Sequence, residues 1–110
     1  MKIGIISANK GVLAETIGLI LQKSYETEIF SQDEFKPSMV SEKSLDGLLF
    51  EGLEQSSEGF AIAVRRNIPE TIKVCYFYCR KPREDLTQYK ITAVDMLEPD
   101  LTKLESCFAK

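Results

Sequence analysis

Histidine and tryptophan are both absent from this chain of 110 residues. Without histidine, no Ser–His or Cys–His pair can activate a nucleophile, and the commonest near-neutral acid–base group is missing. Cysteine is scarce and odd in number, at Cys75, Cys79 and Cys107, with no Cys-x-x-Cys spacing. Four zinc ligands cannot be assembled from these three without recruiting carboxylates. Reduced, partly buried thiols in a cytoplasmic protein are therefore expected. Cys75 and Cys79 lie four apart in an apolar run, which predicts that their side chains point the same way. Glycine numbers six, and only Gly11 falls in the loop after the first apolar run. Neither a G-x-G-x-x-G turn nor a P-loop with its lysine is present, so dinucleotide and Walker-type phosphate binding are unsupported. No apolar run approaches a membrane span, and Ile3-Gly4-Ile5-Ile6 is too short for a signal-peptide core. Positive charge is not in excess either. The 14 Lys and Arg against 17 Asp and Glu leave a net charge of −3, which argues against nucleic acid as the partner. The local basic spots, Arg65–Arg66 and Arg80–Lys81 with Arg83, read as solvated surface.

What is present is an ordinary globular composition, 44% hydrophobic and 28% charged. A chain of this length fits a single domain over residues 1–110 and buries roughly two-thirds of its unfolded surface, enough for one core. Five apolar runs alternate with helical patterns. The runs at 2–7, 27–31, 45–50, 71–79 and 91–97 read as strands. Helices are expected at 12–23, from Pro37 to Ser44, from Ser57 to Asn67, from Pro82 to Tyr89, and from Pro99 to the end. The run 45–50 is continuous rather than alternating, as for a strand covered on both faces. Alternation of this kind predicts right-handed βαβ units and a three-layer, doubly wound, five-stranded parallel α/β sheet. The chain begins at its first strand and ends in its last helix, so no appended segment is expected.

In such a sheet, ligands sit at the carboxyl ends of the strands. Strand one delivers Ser7, Ala8 and Asn9 to that edge. Strand three delivers Glu51, strand four Tyr78, Cys79 and Arg80, and strand five Leu97 and Glu98. Glu51 and Glu98 are the one available carboxylate pair, and a domain this small rarely offers the groove that glycoside chemistry needs. An enzyme is not expected. Tyr76 and Tyr78 alternate with Phe77 and read as core or half-buried sheet residues. Gly59 reads as a backbone or close-packing position. Glu98 before Pro99 reads as a helix-entry acid favoured by the helix dipole.

Over its whole length this pattern resembles the receiver domain of bacterial response regulators. That family is a (βα)5 module with strand order 2-1-3-4-5. Ser7-Ala8 stand where the family's acidic pair belongs, and Glu51 stands at the phosphoacceptor aspartate. Gly59 follows Glu51 by eight residues, as the family's loop glycine does. Tyr78 or Cys79 falls at the Ser/Thr position, and Glu98-Pro99 at the Lys-Pro pair. The frame matches while every chemical residue departs. Ser7 and Ala8 offer Mg²⁺ no charged ligand, and without the metal phosphoryl transfer loses its main electrostatic clamp. Glu98 removes the cation that would hold a phosphoryl group, and its carboxylate facing Glu51 would raise one pKa. The resemblance implies a pseudo-receiver: a cytoplasmic, phosphorylation-independent regulatory module with no cofactor or metal. Glu51 is then either a fixed negative charge that mimics phosphorylation or a solvated loop carboxylate. Partners would be proteins, with a homodimer as one form. Arg83, Asp85, Asp95, Lys103 and Lys110 are candidates on the docking face near the last helix.

The same residues are also similar to a flavodoxin-like domain, which would imply FMN and electron transfer. Ser7-Ala8-Asn9-Lys10-Gly11 resembles that family's first phosphate loop, and Leu45 to Gly52 its third strand. Leu53 to Ser57 would lie over the flavin ring. Lys10, Val12 and Leu13 replace the family's hydroxyl-rich cradle, no aromatic residue lies between Phe50 and Phe60, and the chain is short for that family.

Overall fold

Five short, mostly apolar segments form the strands of one sheet in the computed structural model. These are β1 (Lys2–Ser7), β2 (Glu26–Ser31), β3 (Gly47–Gly52), β4 (Lys73–Tyr78) and β5 (Ile91–Asp95). The structure describes residues 1–8, 18, 25–52, 55–79, 81–95 and 106–108. All four strand pairings are parallel, as the alternation of the elements predicts, and the order is β2-β1-β3-β4-β5, as the family resemblance implies. The order reverses between β1 and β3, which makes their carboxyl ends the topological switch point.

Side chains alternate across the sheet and divide the core in two. Ile6, Phe30, Leu48, Phe50, Val74, Tyr76 and Ile91 point to one face. The helices α1 (Met39–Glu42) and α2 (Gln55–Arg66) cover that face through Val40, Ala61, Ile62 and Val64. Ile3, Ile5, Leu49, Cys75, Phe77 and Val94 point to the other, where Phe108 packs among them. Helical residues on this second face include Gly18, buried close to Ile5 and Ile29, and the segment 106–108. Gly47 permits the docking of that segment. A Cβ there would lie 2.8 Å from the Phe108 ring and 2.9 Å from Ile3 Cδ1. The expected first helix, apart from residue 18, the end of strand five and most of the last helix lie outside the described residues.

Two expected helices are shorter in the structure. The segment after Pro37 makes one turn of helix, ended by Ser44 in the left-handed region at φ 53°. The segment after Pro82 is not helical at its start. A single 3-10 turn, Leu86–Tyr89, begins only at Asp85, whose side chain accepts a hydrogen bond from Thr87 N at 3.1 Å. It stops at Lys90, φ 60°. Polar residues at 81–85 give this stretch no apolar stripe to bury, so no long helix forms.

Arg65 departs from its expected solvated position. It is 5% exposed, and its guanidinium donates to the carbonyl of Ile72 at 2.6 Å and to that of Pro69. The side chain closes the loop between α2 and β4 from inside, adding its donors to a turn in which Ile72 N–H already donates to the Pro69 carbonyl. Burial lowers the Arg65 pKa, and the nearby Glu70 charge opposes that shift. Arg66 remains exposed and lies over the Tyr89 ring, 5.2 Å from its centroid.

Candidate functional site

The carboxyl edge of the sheet is built mainly from β1 and β3. Ile6 pairs with Phe50, so Ser7 stands next to Glu51 on the adjacent strand. Glu51 pairs with Phe77 on its other side. Odd-numbered residues of these strands share the face of Ile3, Ile5 and Leu49, which places Ser7, Glu51 and Phe77 in one row across the switch point. The structure thus brings together Ser7, Ala8 and Glu51 of the expected set. Asn9, Arg80, Leu97, Glu98, Lys103 and Lys110 lie outside the described residues.

Glu51 is the residue whose placement differs most from the sequence reading. It is not a loop carboxylate. β3 runs two residues further than expected and carries Glu51 inside the ladder, where it is 2% exposed. Its Oε2 has no hydrogen-bond partner among the described residues. Burial disfavours the ionised form, so its pKa is raised. Ser7, 1% exposed, is buried beside it.

β4 ends at Tyr78, so Cys79 stands beyond the strand and is exposed, while Cys75 is fully buried within it. The two thiols, expected to share a direction, differ in exposure, and Cys79 N–H still donates to the Gly52 carbonyl at 3.2 Å. Tyr78 turns away from Glu51, to the α2 face, and stacks on Tyr76 with ring centroids 6.4 Å apart. The Tyr76 ring in turn fills the space over Gly52, where a Cβ would lie 2.6 Å from its Cζ. Burial, helped by the Glu58 charge, pushes the Tyr76 phenol up to about 12.

Glu58 was not singled out by the sequence, yet it organises this edge. Its carboxylate accepts the backbone N–H of Arg83 at 2.9 Å and of Glu84 at 3.0 Å. Two adjacent N–H groups received by one carboxylate fix the loop between β4 and β5 against the start of α2. Its only sequence signal is an acid in the first turn of a helix. Beside this loop lies an open cavity of about 390 Å³, walled by Tyr78, Lys81, Arg83, Leu86 and Ala93. Arg83 is exposed, Asp85 turns its side chain onto Thr87, and Asp95 is half-buried at the end of β5. Among the described residues, no group of three or more His, Cys, Asp or Glu side chains is placed to hold a metal ion. No helix among them is long and apolar enough to cross a membrane.

No protein-family model and no curated protein matches the chain. Among solved structures, it is similar to a flavodoxin from the domain Archaea, with 16% identity and a TM-score of 0.57 over 98% of this chain and 92% of that one. It is also similar to the flavodoxin-like domain of a Synechococcus sp. protein, with 12% identity and a TM-score of 0.58 over 98% of this chain and 91% of that one. At these identities the likeness establishes a flavodoxin-like fold. It also removes the objection from length, since a flavodoxin of nearly the same size exists.

Proposed function

We propose that this chain is a non-catalytic, receiver-like regulatory module that acts by binding another protein and needs no phosphorylation. The reading rests on Glu51. At the position where the resembling family carries its phosphoacceptor, this carboxyl group is buried in the ladder, and burial raises its pKa. Phosphoryl chemistry requires the opposite: a solvated, ionised carboxylate next to a divalent cation. Ser7 and Ala8 bring no charge to attract that cation. The loop of Lys81 and Arg83, held by Glu58, presents exposed charge at the same edge and is the proposed docking element. The test is affinity capture from the native host with wild-type chain and Arg83→Glu, each with and without acetyl phosphate and Mg²⁺. The same partner should be recovered under both conditions and lost with Arg83→Glu. Recovery that depends on the phosphodonor would refute the reading.

A second reading, an FMN-binding electron-transfer domain, is favoured by the two fold neighbours described as flavodoxin or flavodoxin-like. Glu51 Oε2, a buried polar atom in need of a partner at the switch point, fits a ligand with hydrogen-bonding edges. The described loop residues 79 and 81–85 bring no aromatic ring to stack on a flavin, and Tyr78 faces the other side of the sheet. Titration of free FMN against the chain, followed by flavin fluorescence, separates the readings. Saturable one-to-one quenching favours the flavin reading, and unchanged fluorescence favours the binding module.

A further inference from the structure

The second face of the sheet holds a thiol pair that the strand-end site does not use. Cys75 is fully buried on β4, between Leu49 of β3 and Thr92 of β5. Cys107 lies over it in the helical segment 106–108. Its thiol donates to the carbonyl oxygen of Val74, the residue before Cys75, at 3.7 Å, and Cys107 packs against the apolar cluster that holds Cys75. Phe108, buried against Gly47 and Ile3, fixes the segment in place.

The two sulfurs differ in access and in charge. Cys75 has no exposed surface, whereas Cys107 is half-buried and opens on a cavity of about 540 Å³ that Lys73, Lys90, Thr92 and Glu70 also line. The neighbouring Cys75 thiol, with Thr92 and the charge of Lys73, lowers the Cys107 pKa, and partial burial opposes that shift. The same contact with Cys107, together with burial, keeps Cys75 protonated. A thiol reachable from solvent and shifted toward ionisation, beside a buried thiol, is the arrangement in which one cysteine reacts and the other resolves.

We propose that Cys107 and Cys75 form a hydroperoxide-reactive dithiol site, with Cys107 the nucleophile and Cys75 the resolving thiol. The Cys107 thiolate attacks the distal oxygen of ROOH. The O–O bond breaks, RO⁻ leaves and takes up a proton, and Cys107 becomes a sulfenic acid. Cys75 sulfur then attacks Cys107 sulfur, and the hydroxyl departs with the Cys75 proton as water. Two thiols and one ROOH give one disulfide, one ROH and one water. The product ties β4 covalently to the last helix.

The test uses the whole chain with hydrogen peroxide as probe. Cys79→Ser leaves the pair as the only thiols. Equimolar peroxide should consume both, lower the intact mass by two hydrogens, and leave the chain monomeric on a non-reducing gel. With Cys75→Ala added, Cys107 should stop at a sulfenic acid that dimedone traps. Cys107→Ala in the same background should leave Cys75 unreacted in folded protein. Thiol loss in Cys79→Ser should be at least about tenfold faster than in Cys75→Ala/Cys107→Ala, which keeps only the exposed Cys79. Mapping of the oxidised wild type by peptide mass checks the result without any substitution. An intermolecular disulfide, a bond to Cys79, or thiol loss no faster than at Cys79 would overturn the proposal.

Discussion

Replacing Glu51 by methionine should stabilise the protein, although it removes the residue at the centre of the candidate site. Glu51 is 2% exposed, and one of its carboxyl oxygens has no partner among the described residues. An unsatisfied buried polar group costs about 1–3 kcal/mol, and methionine fills a similar volume with no polar oxygen. For a domain of this size each kcal/mol moves Tm by about 4–8 °C, so the gain is readable in a thermal or urea melt. The pH dependence supplies an independent signature. Burial raises the carboxyl above its ordinary value of 4.5 in the folded chain. Between 4.5 and that raised value the folded chain retains a proton that the unfolded chain has released. The Glu51 contribution is therefore most favourable in acid, is lost as pH rises through that window, and is level above it. Glu51→Gln should abolish this component of the slope, and Glu51→Met should both flatten it and raise stability at pH 7. A Glu51→Met variant less stable than wild type by more than about 1 kcal/mol would refute the reasoning. So would superimposable pH profiles for wild type and Glu51→Gln.

Three further outcomes follow from the packing. Arg65→Met should cost about 1–3 kcal/mol in urea unfolding, because it removes the guanidinium's buried hydrogen bonds to the carbonyls of Ile72 and Pro69, the second of which keeps its bond from Ile72 N–H. Gly47→Ala should cost about 1–3 kcal/mol by overpacking against Phe108 and Ile3, and proteolysis near the last helix should accelerate with it. Glu58→Gln should lower the Tyr76 phenol from about 12 without returning it to 10, since burial remains after the charge is gone. Phenolate absorbance against a Tyr76→Phe reference reads that shift, and an unchanged Tyr76 titration would remove Glu58 as a cause.

The sheet was legible because its strands are apolar runs separated by polar loops, and parallel order follows from their alternation with helical segments. The boundaries that failed are the informative ones. Glu51 looked like the first loop residue after Phe50, since a charged side chain usually marks solvent. The ladder continues through Glu51–Phe77 and Gly52–Tyr78 instead, and cross-strand pairing overrides the residue's preference for water. Arg65 looked solvated for the same reason, and the two carbonyls that bury it belong to a loop whose path composition does not specify. The segment 82–89 begins with a proline in helix-starting position, but Glu58, more than twenty residues earlier, binds its N–H groups and holds it open. The pairing of Cys75 with Cys107 could not be read at all, because it depends on where the last helix docks. Single-residue spacing carries local periodicity and leaves such long-range contacts unspecified.

The proposed role as a binding surface without a phosphoryl switch has a direct consequence for the strand-end site. Its most direct test is the intact mass of the wild-type chain after incubation with acetyl phosphate and Mg²⁺. The mass should be unmodified, because Glu51 is buried and no metal cluster stands beside it among the described residues. A stable phosphoryl adduct that maps to the β1–β3 edge would contradict it.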